Sequence, residues 1–277
     1  MSPTTIPGNL ILRNTYVAPP LLVYYPGAAA AYSLRNLTEN NISVVRVRRD
    51  NDDAEQDFTA TEVSDGTLAA WVGAGNNGFV RTWYDQSGNI KNATQSIVGN
   101  QPKVVDANQG LIKENGKAAL NFTGSQFFNT SVSLNNALIS VFAVNTYNNV
   151  LRNSGFLGAQ NSAQDFTYMI VNPGFVYFGN GSGSNYFAID QRGLLSLETP
   201  VLTTAIAISS QNRQIFTNGN PSSVNTVNYS TGFTLRISSR DQPLNKPAQE
   251  LIVYSSNQST NRTGIEANIN AYYSIYP

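Results

Sequence analysis

The side chains in this sequence that could do chemistry are mainly carboxylates. The chain has no histidine and no cysteine, but it has 17 aspartates and glutamates. Histidine is the usual general base near neutral pH, and the two missing residue types supply most zinc ligands. Their absence excludes Ser-His-Asp triads, thiolate nucleophiles and histidine-based metal centres. Hydrolytic chemistry would therefore rest on two carboxyl groups, one protonated and one ionised.

Two loop-like stretches carry the side chains that typically bind sugars. Aromatic rings stack on sugar faces, and amide groups make paired hydrogen bonds with hydroxyls. One stretch is Tyr147-Asn148-Asn149, and the other, with the letters NGSGSNYF, contains Asn185 and Tyr186. Since asparagine and tyrosine are frequent throughout the chain, ordinary turn or sandwich surface is the alternative interpretation. We predict carbohydrate contacts at these five residues.

The charge balance excludes other partners. Lysines and arginines together number 17, the same as the acidic residues, and no long basic stripe appears. The sequence therefore lacks the electrostatic footprint of a nucleic-acid-binding protein. No apolar run approaches the length that spans a bilayer, and the first residues do not have the pattern of a secretion signal. We expect no nucleic acid, no membrane insertion, no metal and no cofactor, and synthesis in a host cytoplasm.

The composition favours an all-β fold. The 35 asparagines and the frequent Gly, Ser and Thr residues suit short strands joined by polar turns. Apolar runs recur at 138–144, 166–171, 175–178, 202–208, 213–217 and 233–237. Their spacing, with no long helix between them, predicts an antiparallel sandwich. The Asn-Gly pairs at 115–116 and 218–219 predict two hairpin turns.

The beginning of the chain departs from this rhythm. Residues 1–27 contain five of the twelve prolines, which cannot donate to a central sheet ladder. We predict an extended arm there, either an edge strand with a leader or a segment that docks on a neighbouring subunit. Residues 28–37, with the letters AAAAYSLRNL, predict a short helix. One domain is expected over 28–277.

Two further segments have clear local patterns. Residues 43–49, with the letters SVVRVRR, alternate as a strand does, and the acidic stretch that follows is expected to neutralise the arginines. Residues 259–273 predict a C-terminal helix, because apolar residues recur at steps of three and four after a cap at Ser259 or Thr260. This helix is expected to pack on the sandwich.

A string in the first third of the chain resembles a known family. It consists of AYSLR at 31–35, VRVRR at 45–49, QD at 56–57, and WYDQSGN at 83–89 leading to NATQ at 92–95. The string is similar to the opening of the catalytic domain of the fungal arabinofuranosidase B family, a concanavalin A-like sandwich. It also resembles laminin G-like domains of uncharacterised phage and environmental bacterial proteins. The pieces at 115–124 and 250–254 also look laminin G-like, so the resemblance implies a two-sheet antiparallel jelly roll.

We interpret the WYDQSGN string as structural. Trp83 and Tyr84 are expected to fill the core, while Asp85, Ser87 and their neighbours form a tight turn held by bonds from side chains to the backbone. A role for Asp85 in binding calcium or sugar is the alternative.

The resemblance also indicates where an active site would lie. The arabinofuranosidase family places its acidic pair in the second half of the domain. Here that half offers Asp165, Asp190, Glu198, Asp241, Glu250 and Glu266. None of them matches the family's catalytic motifs, and the cysteines of the fungal enzymes are absent. Glu198 is the best nucleophile candidate, with an ordinary loop carboxylate as the alternative. We expect a non-enzyme with no catalytic residue.

These observations lead to a functional expectation. The chain is predicted to be a non-enzymatic phage virion protein, such as a head fibre, spike, decoration or tail-associated receptor-binding protein. It would present a glycan-binding jelly roll, contact capsid or tail proteins and a host-surface glycan, and form a homo-oligomer, with a trimer as the guess. The alternatives are a glycoside hydrolase of the arabinofuranosidase type and a bacterial carbohydrate-binding module.

Overall fold

Strands dominate the computed structural model, which describes residues 20–135, 138–147, 154–160, 166–171, 175–180, 188–190, 198–209, 212–222, 224–226, 232–238 and 243–277. Within these residues the helices are α1 (Leu21–Tyr24), α2 (Ala60–Ser64), α3 (Thr67–Val72) and α4 (Arg262–Tyr273), with a 3₁₀ turn at Val98–Asn100. The strands are β1 (Ala30–Ser33), β2 (Ser43–Arg49), β3 (Glu55–Thr59), β4 (Gly78–Trp83), β5 (Ala93–Thr94), β6 (Lys103–Asp106), β7 (Gly110–Leu111), β8 (Lys113–Glu114), β9 (Lys117–Ala118), β10 (Phe128–Asn135), β11 (Ser140–Thr146), β12 (Ser154–Gly155), β13 (Leu157–Ala159), β14 (Phe166–Val171), β15 (Phe175–Asn180), β16 (Ala188–Asp190), β17 (Pro200–Ala207), β18 (Asn212–Thr217), β19 (Asn220–Pro221), β20 (Asn225–Thr226), β21 (Gly232–Ile237) and β22 (Ala248–Tyr254).

Two antiparallel sheets enclose the main core. Within the described ranges, the first has the order β1-β22-β11-β17-β18-β19, with β20 beside β18. The second has the order β13-β21-β10-β5-β4-β2-β3, extended by β6 and β7, and the shorter ladders are β12-β14-β15-β16 and β8-β9. Val141 and Val253 of the first sheet share one buried cluster with Val47 and Trp83 of the second. The all-β sandwich predicted from strand spacing is therefore confirmed.

The central strands of the first sheet are covered on both faces. In β11, Val141 and Ala143 contribute to the core between the sheets, whereas Phe142 and Val144 pack in a second cluster with Ile265 of α4. All residues of β11 and β22 are buried. Their nearly continuous apolar sequences follow from burial on both faces, as in sheets covered by helices.

Most local predictions from the sequence are confirmed. β2 spans the predicted 43–49, and its arginines pair with the acidic segment through Arg48–Asp53 and Arg49–Asp52. Both Asn-Gly pairs have the positive φ angles of a hairpin turn. The C-terminal helix begins at Arg262, three residues after the predicted start, and Asn261 precedes it without a capping side-chain bond. No helix in the described part of the chain is long and apolar enough to cross a membrane.

The N-terminal helix lies earlier than predicted. Residues 30–33 form β1, which is entirely buried and pairs with β22, so the helix prediction for 28–37 is wrong. Helix propensities differ by less than about 1 kcal/mol per residue, and the sheet's hydrogen bonds and burial override them. The helical turn is α1, whose Leu21 packs under α4. The predicted boundary at residue 27 stays a prediction.

A buried ion pair joins the first sheet to α4. Arg35 follows β1 and donates from Nε and Nη2 to both carboxylate oxygens of Glu250 in β22, at 2.7 and 2.9 Å. Its Nη1 donates to Asn268 Oδ1 at 3.0 Å. The hydroxyls of Ser33 and Tyr273 donate to the same carboxylate at 2.8 and 3.1 Å. The pair is thus fully hydrogen-bonded, which is the condition under which buried charges are tolerated.

We expect Arg35→Met to lower the free energy of unfolding by about 3–5 kcal/mol, because it leaves the Glu250 carboxylate buried without its cation. Urea-induced unfolding followed by fluorescence measures the change. The matched control is Arg81→Met, which removes the exposed pair with Glu55 and is expected to cost less than about 1 kcal/mol. Equal losses in the two variants would contradict the role of the buried pair.

Candidate functional site

Three strand ends meet at one edge of the first sheet. β11 is antiparallel to both of its neighbours, so its carboxyl end lies beside the start of β17 and the start of β22. Thr146 pairs with Pro200, and Asn145 pairs with Ala248. Glu198 precedes Pro200 by two residues, and Lys246 precedes Ala248 by two. The topology therefore brings residues from three distant parts of the chain to the same edge.

A short hairpin adds a second carboxylate at this edge. β8 and β9 are joined by Asn115-Gly116, whose φ angles of 48° and 75° are typical of a type I′ turn. Glu114 is the last residue before that turn. The Thr146 hydroxyl donates to its carboxyl Oε2 at 3.4 Å. Glu114 is thus held against the end of β11.

The hairpin and the strand ends enclose a cleft of about 470 Å³. Its polar lining consists of Asp106, Gln109, Lys113, Glu114, Asn121, Thr123, Thr146, Glu198, Asn245 and Lys246. Carboxylate, amide, hydroxyl and ammonium groups therefore converge on one space. Such a lining offers donors and acceptors for a polyhydroxylated ligand.

Glu198 has an unusual backbone conformation. Its φ is 64°, in the left-handed region that few residues other than glycine adopt. Its N–H donates to the carbonyl of Tyr147 at 2.9 Å, which fixes this conformation against the end of β11. Lys246 Nζ donates to its carboxylate Oε2. Strained residues of this kind cluster at functional sites. The backbone conformation is therefore a second reason, besides the carboxylate itself, to consider Glu198 a functional residue.

The two glutamates have different surroundings. Burial raises the pKa of the Glu114 carboxyl above its ordinary value of 4.5, and the nearby Glu198 carboxylate raises it further. The Thr146 hydrogen bond and the Lys246 charge act in the opposite direction. Glu198 is more exposed and lies directly against the Lys246 ammonium. The pKa of one carboxyl is thus raised above its ordinary value, while the other carboxyl lies in an ion pair.

The structure tests only part of the predicted sugar-binding set. Tyr147 is 1% exposed, belongs to the main core, and lies with its hydroxyl 3.4 Å from Thr203 Oγ1. Its ring therefore has no free face for stacking on a sugar, which corrects the expectation for this residue. Asn148, Asn149, Asn185 and Tyr186 lie outside the described residues, so those contacts stay predictions.

The WYDQSGN string is structural, as interpreted. Trp83 is fully buried, and Asp85 accepts hydrogen bonds from the N–H groups of Ala31, Ser87 and Lys91. Tyr84 differs from the expectation, since it is only partly buried and its hydroxyl donates to Asp57 at 2.8 Å.

The two other carboxylates of the second half whose side chains the structure describes do not join the cleft. Glu250 is held in the ion pair with Arg35, and Glu266 pairs with Arg262 on α4. Asp165, Asp241 and the side chain of Asp190 lie outside the described residues. The sequence predicted Glu198 but not Glu114, because the resemblance to the arabinofuranosidase family placed the acidic pair in the second half of the domain. The signal available for Glu114 was its place directly before an Asn-Gly turn.

Comparisons with known proteins relate the fold to solved structures. No protein-family model matches the chain, and no curated protein matches it. A GH54 α-L-arabinofuranosidase soaked with a cyclic sulfate inhibitor shares the fold with a TM-score of 0.67 at 14% identity. An arabinofuranosidase complexed with arabinofuranosyl-α-1,2-xylobiose gives 0.59 at 15% identity. Each comparison covers 91% of this chain and 65% of the other, so the chain spans about two-thirds of their length.

These comparisons correct the functional expectation. The chain was expected from its sequence to be a non-enzymatic phage virion protein, and that prediction is wrong. Three solved structures that share its fold over nine-tenths of the chain are arabinofuranosidases. The sandwich scaffold implied by the resemblance to that family is confirmed. At these identities the likeness establishes the fold, and activity has to be argued from the cleft.

The raised pKa of Glu114 predicts how stability responds to pH. Ionising this carboxyl costs more in the folded than in the unfolded chain, so wild-type protein loses stability relative to Glu114→Gln as pH rises from about 4.5 through the raised value. We expect the variant's relative stability to increase between about pH 3 and about pH 7 in urea unfolding.

Asp65→Asn is the control of opposite sign. Hydrogen bonds from Thr67 lower the pKa of Asp65 below its ordinary 3.8, so the ionised form stabilises the fold and that stability is lost as pH falls. This variant should lose relative stability over the same rise in pH. A pH-independent difference for Glu114→Gln would contradict the assignment.

Proposed function

We propose that the chain is a glycoside hydrolase of the arabinofuranosidase type and that the cleft at the three strand ends is its active site. The observation that carries this proposal is the placement of Glu114 and Glu198 in one cleft with different surroundings. Glycosidases use such a pair of carboxyl groups, one protonated and one ionised, on either side of the bond that is cleaved. The fold shared with solved arabinofuranosidases supports the choice of substrate class.

Glu114 serves as the general acid. Its burial favours the neutral carboxyl, and the hydrogen bond from Thr146 holds Oε2 in place. In the first step its proton moves to the glycosidic oxygen as the bond from that oxygen to the anomeric carbon breaks. The leaving sugar departs as an alcohol, and Glu114 is left as a carboxylate beside Lys246.

Glu198 serves as the nucleophile. Its carboxylate attacks the anomeric carbon as the leaving group departs, forming a glycosyl ester. The positive charge of Lys246 then stabilises the newly formed carboxylate of Glu114. A water molecule loses a proton to Glu114 and attacks the ester, which releases the sugar and restores both carboxyl groups to their initial states.

The amide side chains of the cleft are suited to the sugar itself. Gln109, Asn121 and Asn245 line the cleft together with the two glutamates. Amides donate and accept hydrogen bonds at once, as vicinal hydroxyls require. Recognition of the substrate thus falls to the amides, while the carboxyl groups carry out the reaction.

The assignment predicts different responses to leaving-group chemistry. Glu114→Gln should lower kcat/KM for arabinofuranosyl-α-1,2-xylobiose by about 10²–10⁴-fold, because a sugar alkoxide needs a proton to leave. It should affect 4-nitrophenyl α-L-arabinofuranoside much less, since nitrophenolate leaves without one. Glu198→Gln should abolish hydrolysis of both substrates, because no ester can form.

The control is Glu39→Gln, which changes an exposed glutamate outside the cleft and should leave both rates unchanged. Absorbance of nitrophenolate and chromatography of released arabinose measure the two reactions. Wild-type protein that binds the glycan but releases no sugar would instead support a carbohydrate-binding module. Full activity in both cleft variants would reject this active site.

A further inference from the structure

The hairpin that carries Glu114 joins the main sheets through the residues that flank it. Ile112 donates its N–H to the Val104 carbonyl of β6, and Leu120 exchanges two backbone hydrogen bonds with Ala248 of β22. β8 and β9 have two residues each and pair with one another as a separate ladder in the described part of the chain. A two-stranded hairpin of this size is at best marginally stable in water. At its tip, Asn115 Nδ2 donates to the carbonyls of Tyr273 and Ser274 at 2.7 and 2.8 Å. The backbone of Glu114 lies between the base and the tip of the hairpin, where a further contact supports it.

Gln249 of β22 provides that support. Its side chain is buried, with 1% exposed, and Nε2 lies 3.1 Å from the carbonyl oxygen of Glu114 and 3.1 Å from that of Lys117. The Ala118 carbonyl is 3.4 Å away. The two N–H donors of the Gln249 amide are therefore shared among three carbonyls of the hairpin, of which the Ala118 carbonyl is the most distant. Its Oε1 has no hydrogen-bond partner among the described residues.

The orientation of this amide follows from an irregularity in the sheet. Val144 pairs with Glu250, but the next residue, Asn145, pairs with Ala248, so Gln249 has no partner in β11. Gln249 is thus the extra residue of a β-bulge. Bulges redirect a side chain away from the regular alternation and are frequent next to active sites. This one directs an amide at the hairpin rather than into the apolar core.

We propose that Gln249 is a positioning residue, which holds the backbone of Glu114 so that its carboxyl stays against Thr146 in the cleft. The inference rests on the proposed function, in which Glu114 is the general acid. Gln249 acts on the reaction only through Glu114. Directing both donors at the hairpin leaves the amide oxygen buried without a partner among the described residues, which is destabilising.

The charged groups around Glu114 make its pKa sensitive to its position. Lys246 and Glu198 face its carboxyl from the starts of β22 and β17, and their charges act on its pKa in opposite directions. Lys113 and Asp106 line the same cleft. Movement of the hairpin would therefore expose the carboxyl to water and alter its interactions with Lys246 and Glu198. The titration of Glu114 reports its position without any need for catalysis.

The test is Gln249→Met, which keeps the length of the side chain and removes its donors. We expect the pKa of Glu114 to fall towards 4.5, measured by ¹³C carboxyl NMR with Glu114→Gln for assignment. The ratio of kcat/KM for arabinofuranosyl-xylobiose to that for the nitrophenyl substrate should fall about tenfold or more. Gln249→Asn, whose amide is one methylene further from the hairpin, should have a smaller effect in the same direction.

The control is Gln214→Met, which removes the amide that donates to the carbonyl of Ser222 and should change neither readout. An unchanged Glu114 titration in Gln249→Met would overturn the proposal, as would equal slowing of both substrates. Failure of both Gln249 variants to fold would replace it with a purely structural role. If wild-type protein hydrolyses neither substrate while the Glu114 titration still shifts, the hydrolase proposal fails and the positioning role stands.

Discussion

The ion pair between Arg35 and Glu250 is the interaction on which the first sheet and its helix depend. Glu250 lies in β22, between β1 and β11, and its carboxylate accepts hydrogen bonds from β1 and from α4. A buried charge with every partner in place stabilises one arrangement of these elements, because any other arrangement would leave the carboxylate unsatisfied. Glu250 therefore fixes the register of β22. The residue before it, Gln249, is the one that the bulge directs at the hairpin.

The chemistry of the cleft follows from sheet topology. An antiparallel strand places its end beside the starts of both neighbours, so Thr146 of β11 meets the segments that precede β17 and β22. Glu198 and Lys246 lie in those segments, just before the first paired residues of β17 and β22. Their backbone is therefore not held in the extended conformation of a strand. The hairpin supplies the other carboxyl group that lines the cleft. The rigid sheet thus fixes the spacing, and the strand ends and turns carry the polar groups.

The sequence was sufficient to predict much of the fold but little of the site. Short apolar runs and Asn-Gly pairs are local signals, and the strands and turns formed where they indicate. The prediction of a helix at 28–37 failed because the helix preference of four alanines is weak. Pairing of residues 30–33 with β22 in the sheet outweighs it. Tyr147 was expected in a loop, and it does follow β11 directly, but its ring packs in the main core, which its residue type and the neighbouring asparagines do not indicate. Glu114 and Lys246 were missed because they reach the cleft through tertiary contacts that leave no local pattern in the sequence, such as the bond from Thr146 to Glu114 and the pairing of Asn145 with Ala248.

Three departures from regular strand geometry bear on this cleft. Glu198 has a left-handed backbone, Gln249 is the extra residue of a bulge, and Asn115 has the positive φ of the hairpin turn. Strain of this kind costs about 1–3 kcal/mol per residue and persists only where the surrounding structure enforces it. Here the enforcement is local, since the bulge adjoins the buried Arg35–Glu250 pair and Glu198 is bonded to the end of the fully buried β11. Other bulges and left-handed residues occur elsewhere in the described sheets, so these three are set apart by what they hold. Glu198 lies in the cleft, and Gln249 and Asn115 hold the hairpin that carries Glu114. Each of the three departures therefore bears on the position of one of the two carboxyl groups.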